Sequence, residues 1–93
     1  MYRPLKPYLT IKNSPIEGLG LFATEFIPKD TDFGVSHIMA EGVYVRTPLG
    51  GFINHSERPN VVKELTGETL NIVSIRDIEA GDEILLKYTL YSL

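Results

Sequence analysis

The chain has 93 residues, 43% hydrophobic and 23% charged, with a formal net charge of -3 and no cysteine. That length makes one domain with no room for a second, and a domain this small buries roughly 60–65% of the surface its unfolded chain exposes. The missing cysteines exclude disulfides, thiolate zinc sites and cysteine nucleophiles, and the absence of any basic run argues against a nucleic-acid partner.

A mildly acidic surface suits a basic peptide, although solubility alone explains so small a charge. Nothing in residues 1–13 forms the apolar core of a signal peptide, and no run approaches transmembrane length. An intracellular chain that does not engage membranes is expected. Stability must come from packing or from self-association.

Residues 3–7 carry Arg3-Pro4 and Lys6-Pro7, an extended lead-in. Tyr8-Leu-Thr-Ile-Lys12 then alternates apolar and polar side chains and reads as a first strand. Asn13-Ser14-Pro15 breaks it. Glu17-Gly18-Leu19-Gly20 follows, leading into apolar Leu21-Phe-Ala23. Two glycines one residue apart permit positive φ or a close backbone approach. Without a third glycine and a helix start they do not make a dinucleotide fingerprint, so a tight turn between strands is the first reading.

Phe26 to Phe33 reads as a strand end, a Pro-initiated turn and a new strand, and a similar corner recurs at Ile78-Glu-Ala-Gly-Asp-Glu-Ile84. Residues 31–39 and 42–46 are expected strands, and 47–51 an expected loop. Residues 61–65 and 70–75 flank Thr66-Gly-Glu-Thr69 and predict a hairpin. Residues 76–83 turn into a last strand at 84–88. No stretch offers twelve residues of helical apolar spacing, so the chain is expected to be mainly β with little helix.

The most polar stretch is Gly51 to Asn60, Gly-Phe-Ile-Asn-His-Ser-Glu-Arg-Pro-Asn. A short apolar entry runs into Asn54, His55 and Ser56, and a turn closes on Pro59-Asn60. If buried, each of those polar groups needs a partner, a demand that suits a site for a polar ligand. A turn-capping role for Asn54 and His55 is compatible with that. A metal site is not expected, since only His37 could join His55 and no ligand spacing is visible.

Gly18-Leu-Gly-Leu-Phe-Ala23, Asn54-His-Ser-Glu-Arg-Pro-Asn60 and Gly81-Asp-Glu-Ile-Leu-Leu-Lys-Tyr88 follow one another in that order. Together they resemble a SET domain, the fold of S-adenosylmethionine-dependent protein-lysine methyltransferases, in a minimal viral- or bacterial-type form. The resemblance runs over about residues 8–91 of a single 1–93 domain. It implies small antiparallel sheets and a C-terminal segment threaded, as a pseudoknot, beneath the loop that holds the asparagine-histidine pair. It also implies S-adenosylmethionine as cofactor, with the backbone around Glu17, Gly18 and Leu19 meeting its methionine part. Asn54 would hold the ammonium or carboxylate end, and the His55 main chain would pair with adenine. Tyr88 would be the catalytic tyrosine, and the partner a lysine-containing protein or peptide.

Tyr44 and Tyr91 are candidates to wall the lysine channel, although plain packing explains either equally well. Asp82-Glu83 reads as a solvated pair shaping a turn. The chain departs from the family pattern in a short insert between Met39 and Gly50, in the missing cysteine-rich segment, in having five residues after Tyr88, and in Glu57 where many relatives carry cysteine. A homodimer that completes the site is therefore expected, in the cytoplasm or, for a viral protein, the host nucleus. The rival readings are a non-catalytic module of the same fold, used for protein binding or self-assembly, and a small sugar- or nucleotide-binding β-protein.

Overall fold

The computed structural model describes residues 5–87. Two strands open the chain, β1 (Leu9–Asn13) and β2 (Leu19–Ala23), paired antiparallel from Leu9 opposite Ala23 to Asn13 opposite Leu19. The turn between them closes through the Ser14 amide, which donates to the Gly18 carbonyl at 2.8 Å. The six remaining strands form one mixed sheet in the order β4-β3-β7-β6-β8-β5. These are β3 (Asp32–Ala40), β4 (Val43–Arg46), β5 (Asn54–His55), β6 (Val61–Thr66), β7 (Thr69–Ser74) and β8 (Leu85–Leu86). The expected hairpin is β6–β7, joined by the two-residue connection Gly67-Glu68, with Gly67 at the positive φ of 61° that such tight turns need.

The core lies between the two sheets. Leu21, Phe33, Val61, Ile72, Ile78 and Ile84 are each at most 1% exposed, and burying side chains of this size stabilises the fold by about 1.5–3 kcal/mol apiece. The two similar corners foreseen in the sequence meet there. Ile27 and Ile78 exchange both backbone hydrogen bonds at 2.8 Å, so one corner packs on the other. Asp30 and Gly81, each three residues past its isoleucine, turn the chain at φ of 68° and 92°. At β3 the register shifts between Val35 and His37, which turns Ser36 and His37 both inward.

Two expectations change. Residues 47–51 are not an irregular loop: α1 (Pro48–Gly51) is a single helical turn. Pro48 presets its first position, and the Thr47 hydroxyl donates to the Val35 carbonyl at 2.6 Å. Gly50 backs so closely on β3 that a Cβ would lie 2.6 Å from the Ser36 carbonyl oxygen. Four residues cannot show helical periodicity, so the turn left no mark in the sequence pattern.

The second change concerns strand direction. Most pairs are antiparallel, but β8 runs parallel to both β5 and β6. Since β5 and β6 are consecutive in sequence and flank β8, the loop joining them must cross over it. The tail reaches this crossing along β2, where Ala23 and Asp82, Gly81 and Ala23, and Ile84 and Leu21 are linked by backbone hydrogen bonds of 2.8–2.9 Å. The threaded crossing implied by the resemblance is thus present. Among the described residues, no helix is long and apolar enough to cross a membrane.

Candidate functional site

Three segments distant in sequence converge where the tail leaves β2 and enters the six-stranded sheet. The first is the β1–β2 turn with the start of β2, carrying Ser14, Glu17, Gly18 and Gly20. The second is β5 with Asn54 and His55, and the third is the tail at Glu83. The Asn54 side-chain Nδ2 donates to the Glu17 carbonyl at 3.2 Å and to Glu83 Oε2 at 2.8 Å. The Ser14 hydroxyl lies 2.9 Å from each carboxylate oxygen of Glu83 and accepts the Ile16 amide at 3.0 Å. So the structure brings together Glu17, Gly18 and Asn54, three of the residues expected at one site.

The two glycines serve different needs. Gly18 sits at φ 44° with open space where a Cβ would be, so its backbone is exposed in a conformation that other residues adopt only with strain. Gly20 has an ordinary φ, but a Cβ there would collide with the Glu83 carboxylate. Leu19 is half exposed beside them, at 50%.

Below the site, the loop between β5 and β6 is clamped onto the tail by Asn60, which is 8% exposed. Its Nδ2 donates to the Glu83 carbonyl and its Oδ1 accepts the Leu85 amide, both at 2.8 Å. Its own amide donates to the Leu85 carbonyl at 3.0 Å, and its carbonyl accepts from Ile75 at 3.0 Å. One buried asparagine therefore satisfies four backbone partners of the crossing. The Ser56 amide adds a bond to the Leu86 carbonyl at 3.1 Å.

His55 has its ring Nε2 2.9 Å from Glu57 Oε2, and the other carboxylate oxygen of Glu57 lies 3.5 Å from Lys87 Nζ. The hydrogen bond with His55, and then the charge of Lys87, hold the Glu57 carboxyl below its usual range. Glu57 thus makes an ionic tie between the loop and Lys87 on the tail.

The other expected site residues fall elsewhere. Tyr44 lies on β4 opposite Met39, with four strands between β4 and β5 in the sheet order, and it does not join the Asn54 group. Tyr88 and Tyr91 lie outside the described residues. His37, expected to be an ordinary strand histidine, is 5% exposed with Nδ1 3.0 Å from the Ser36 hydroxyl. A cleft of about 380 Å³ adjoins the tail between Arg58, Arg76 and Asp82. Its lining includes Asn60 and Glu83 but none of Glu17, Gly18, Asn54 or His55, so it is not the expected cofactor site.

Sequence reading did not place Glu83 and Ser14 beside Asn54, and it took Asn60 only as the close of a turn. Asp82 does shape its turn, accepting the Glu79 amide at 3.0 Å. Glu83 instead points the opposite way, into partly buried contacts with residues 29 and 69 positions away. Strand alternation was the available signal, since neighbours in an extended segment face opposite sides.

The SET-domain family model matches residues 37–89, more than half of the chain and a span that includes Asn54, His55 and Tyr88. The chain belongs to the SET-domain family. Solved structures share its fold. A candidate histone methyltransferase of Plasmodium falciparum superposes at a TM-score of 0.75 with 20% identity, over 91% of this chain and 96% of that one. The methyltransferase domain of human PR domain-containing protein 2 gives 0.74 with 16% identity, over 91% and 79%. A Chaetomium thermophilum Polycomb Repressive Complex 2 chain bound to an inhibitor gives 0.74 with 21% identity, and there this SET domain spans 14% of its length. A search of curated proteins found no match. Membership of the family supports methyl transfer in general.

Proposed function

We propose that this SET domain transfers a methyl group from S-adenosylmethionine to the ε-amine of a lysine in a protein or peptide. The observation that carries the reading is the meeting of Asn54 with the β1–β2 turn, at the threaded segment that leads to Tyr88. These residues suit the cofactor's amino-acid end. Both Nδ2 contacts of Asn54 are to acceptors, which leaves its Oδ1 to receive a donor. The positive-φ backbone at Gly18 has open space above it.

The sulfonium of S-adenosylmethionine supplies an already activated methyl group. What remains for the chain is mainly positioning. Asn54 and the main chain of Glu17–Leu19 hold the amino-acid end, and the His55 main chain meets adenine. The Tyr88 hydroxyl would orient the neutral lysine amine and, with backbone carbonyls, would accept weak C–H···O contacts from the polarised methyl. Desolvation in a narrow channel lowers the lysine pKa, which keeps the nucleophile unprotonated.

The test is transfer of labelled methyl from S-adenosylmethionine to an array of lysine-bearing peptides. Tyr88→Phe should lower the rate by on the order of 10²-fold while leaving cofactor affinity within about twofold. Equal turnover by the variant would remove Tyr88 from the mechanism. Cofactor binding without transfer to any peptide would favour a non-catalytic binding module.

A further inference from the structure

Glu83 is the tail residue that both other converging segments touch, through Ser14 and Asn54. Its backbone bridges Phe22 in β2, and its carbonyl accepts Asn60 Nδ2. Its carboxylate receives the Ser14 hydroxyl and the Asn54 amide. Gly20 lacks a Cβ where that carboxylate lies. So the carboxylate is pinned between two donors in a space that a larger residue at position 20 would fill.

The consequence falls on Asn54. An asparagine amide can bind in two orientations that differ by exchange of its oxygen and nitrogen. Here the inner position faces a carboxylate oxygen at 2.8 Å and a carbonyl oxygen at 3.2 Å, and neither can donate. Only the NH2 group fits there. The reverse orientation would set Oδ1 against two acceptors, one of them charged. Among the described residues no donor is bonded to Oδ1, which is left facing outward as an acceptor.

We infer that Glu83 is a positioning residue: it fixes the Asn54 amide with its oxygen toward the cofactor site, and so makes the site select for the α-ammonium group of the ligand. This rests on the reading of Asn54 as the residue that binds the amino-acid end of S-adenosylmethionine. Glu83 itself does not touch the cofactor. It acts through Asn54, and its charge makes the preference stronger than a neutral acceptor would, since charge-assisted hydrogen bonds are about twice as strong.

The test compares two ligands by calorimetric titration: S-adenosylhomocysteine and its deaminated analogue, in which hydrogen replaces the α-amino group. The wild-type domain should prefer the aminated ligand by about 10–100-fold, the range expected for a hydrogen bond to a charged group. Glu83→Met, which removes the acceptor at nearly constant shape, should weaken the aminated ligand about tenfold or more and the deaminated one less than twofold. Glu83→Gln should restore most of the preference, because its Oε1 can still accept from Asn54 while its NH2 donates to Ser14. If Glu83→Met does not fold, Glu83→Asp withdraws the acceptor by one methylene and carries the same expectation.

A preference unchanged in Glu83→Met would overturn the inference, as would equal weakening of both ligands, which signals a general disturbance of the site. Binding of neither ligand by the wild-type domain would instead overturn the cofactor reading beneath it.

Discussion

At the level of single side chains, the glycines at the end of the first turn and the start of β2 separate conformation from space. Gly18 needs positive φ and has open surroundings, so Gly18→Ala should cost about 1 kcal/mol of stability through backbone strain alone. Gly20 needs room. Its missing Cβ is where the Glu83 carboxylate sits, and that carboxylate ends a side chain that can swing away. Gly20→Ala should therefore disturb the site more than the fold. We expect cofactor affinity to fall at least tenfold while the melting temperature drops by only a few degrees, about what 1 kcal/mol produces in a domain of this size. Paired melting and calorimetry on the purified variant check this. A large loss of stability with affinity retained would mean that Glu83 does not hold the site.

Among the elements, the decisive one is the shortest. Strand β8 is two residues long, Leu85–Leu86, yet it joins β5 to β6 and brings the tail under the connecting loop. Asn60 keeps it there, and Asn60→Ala would leave the Leu85 amide and the Glu83 carbonyl without their side-chain partner. Each buried group left unpaired costs about 1–3 kcal/mol, so the variant should lose about 2–6 kcal/mol. Against a total of about 5–14 kcal/mol for 93 residues, that loss is severe. Urea denaturation measures it directly, and a loss below about 0.5 kcal/mol would show the crossing to be held by packing alone.

What the sequence disclosed follows from the range of the interactions. The β6–β7 hairpin was legible because its register is fixed by a two-residue turn containing Gly67, and β1 because Tyr8 to Lys12 alternates. The helical turn at Pro48–Gly51 was not, because its cause lies in β3, at Val35 and Ser36. The meeting of Asn54 with the first turn was expected from motif resemblance. Glu83 looked like half of a solvated acidic pair, since nothing local reveals that Ser14, 69 residues earlier, donates to it.

For the molecule as a whole, pH acts on stability through His37. Burial, and then the charges of Lys63 and Arg46, lower its pKa from the ordinary 6.5. A base whose folded pKa is depressed contributes stability that is present above its unfolded value and lost as pH falls through the folded one. The neutral ring donates Nδ1–H to Ser36 Oγ, whose hydroxyl is committed to the Leu70 carbonyl. Stability should thus fall on acidification below about pH 6.5, before the carboxylates titrate. Denaturation midpoints at about pH 7.5 and about pH 5.5 should differ in the wild-type domain and differ less in His37→Gln. An equal drop in both would place the pH dependence elsewhere.

The most direct measurement is calorimetric titration of S-adenosylmethionine into the wild-type domain and into Asn54→Ala, with circular dichroism confirming the fold of each. Saturable binding by the wild-type domain, weakened at least tenfold in the variant, is the predicted result. A folded wild-type domain that takes up no S-adenosylmethionine would contradict the assignment of Asn54 and the first turn as a cofactor site, and with it the proposed methyl transfer.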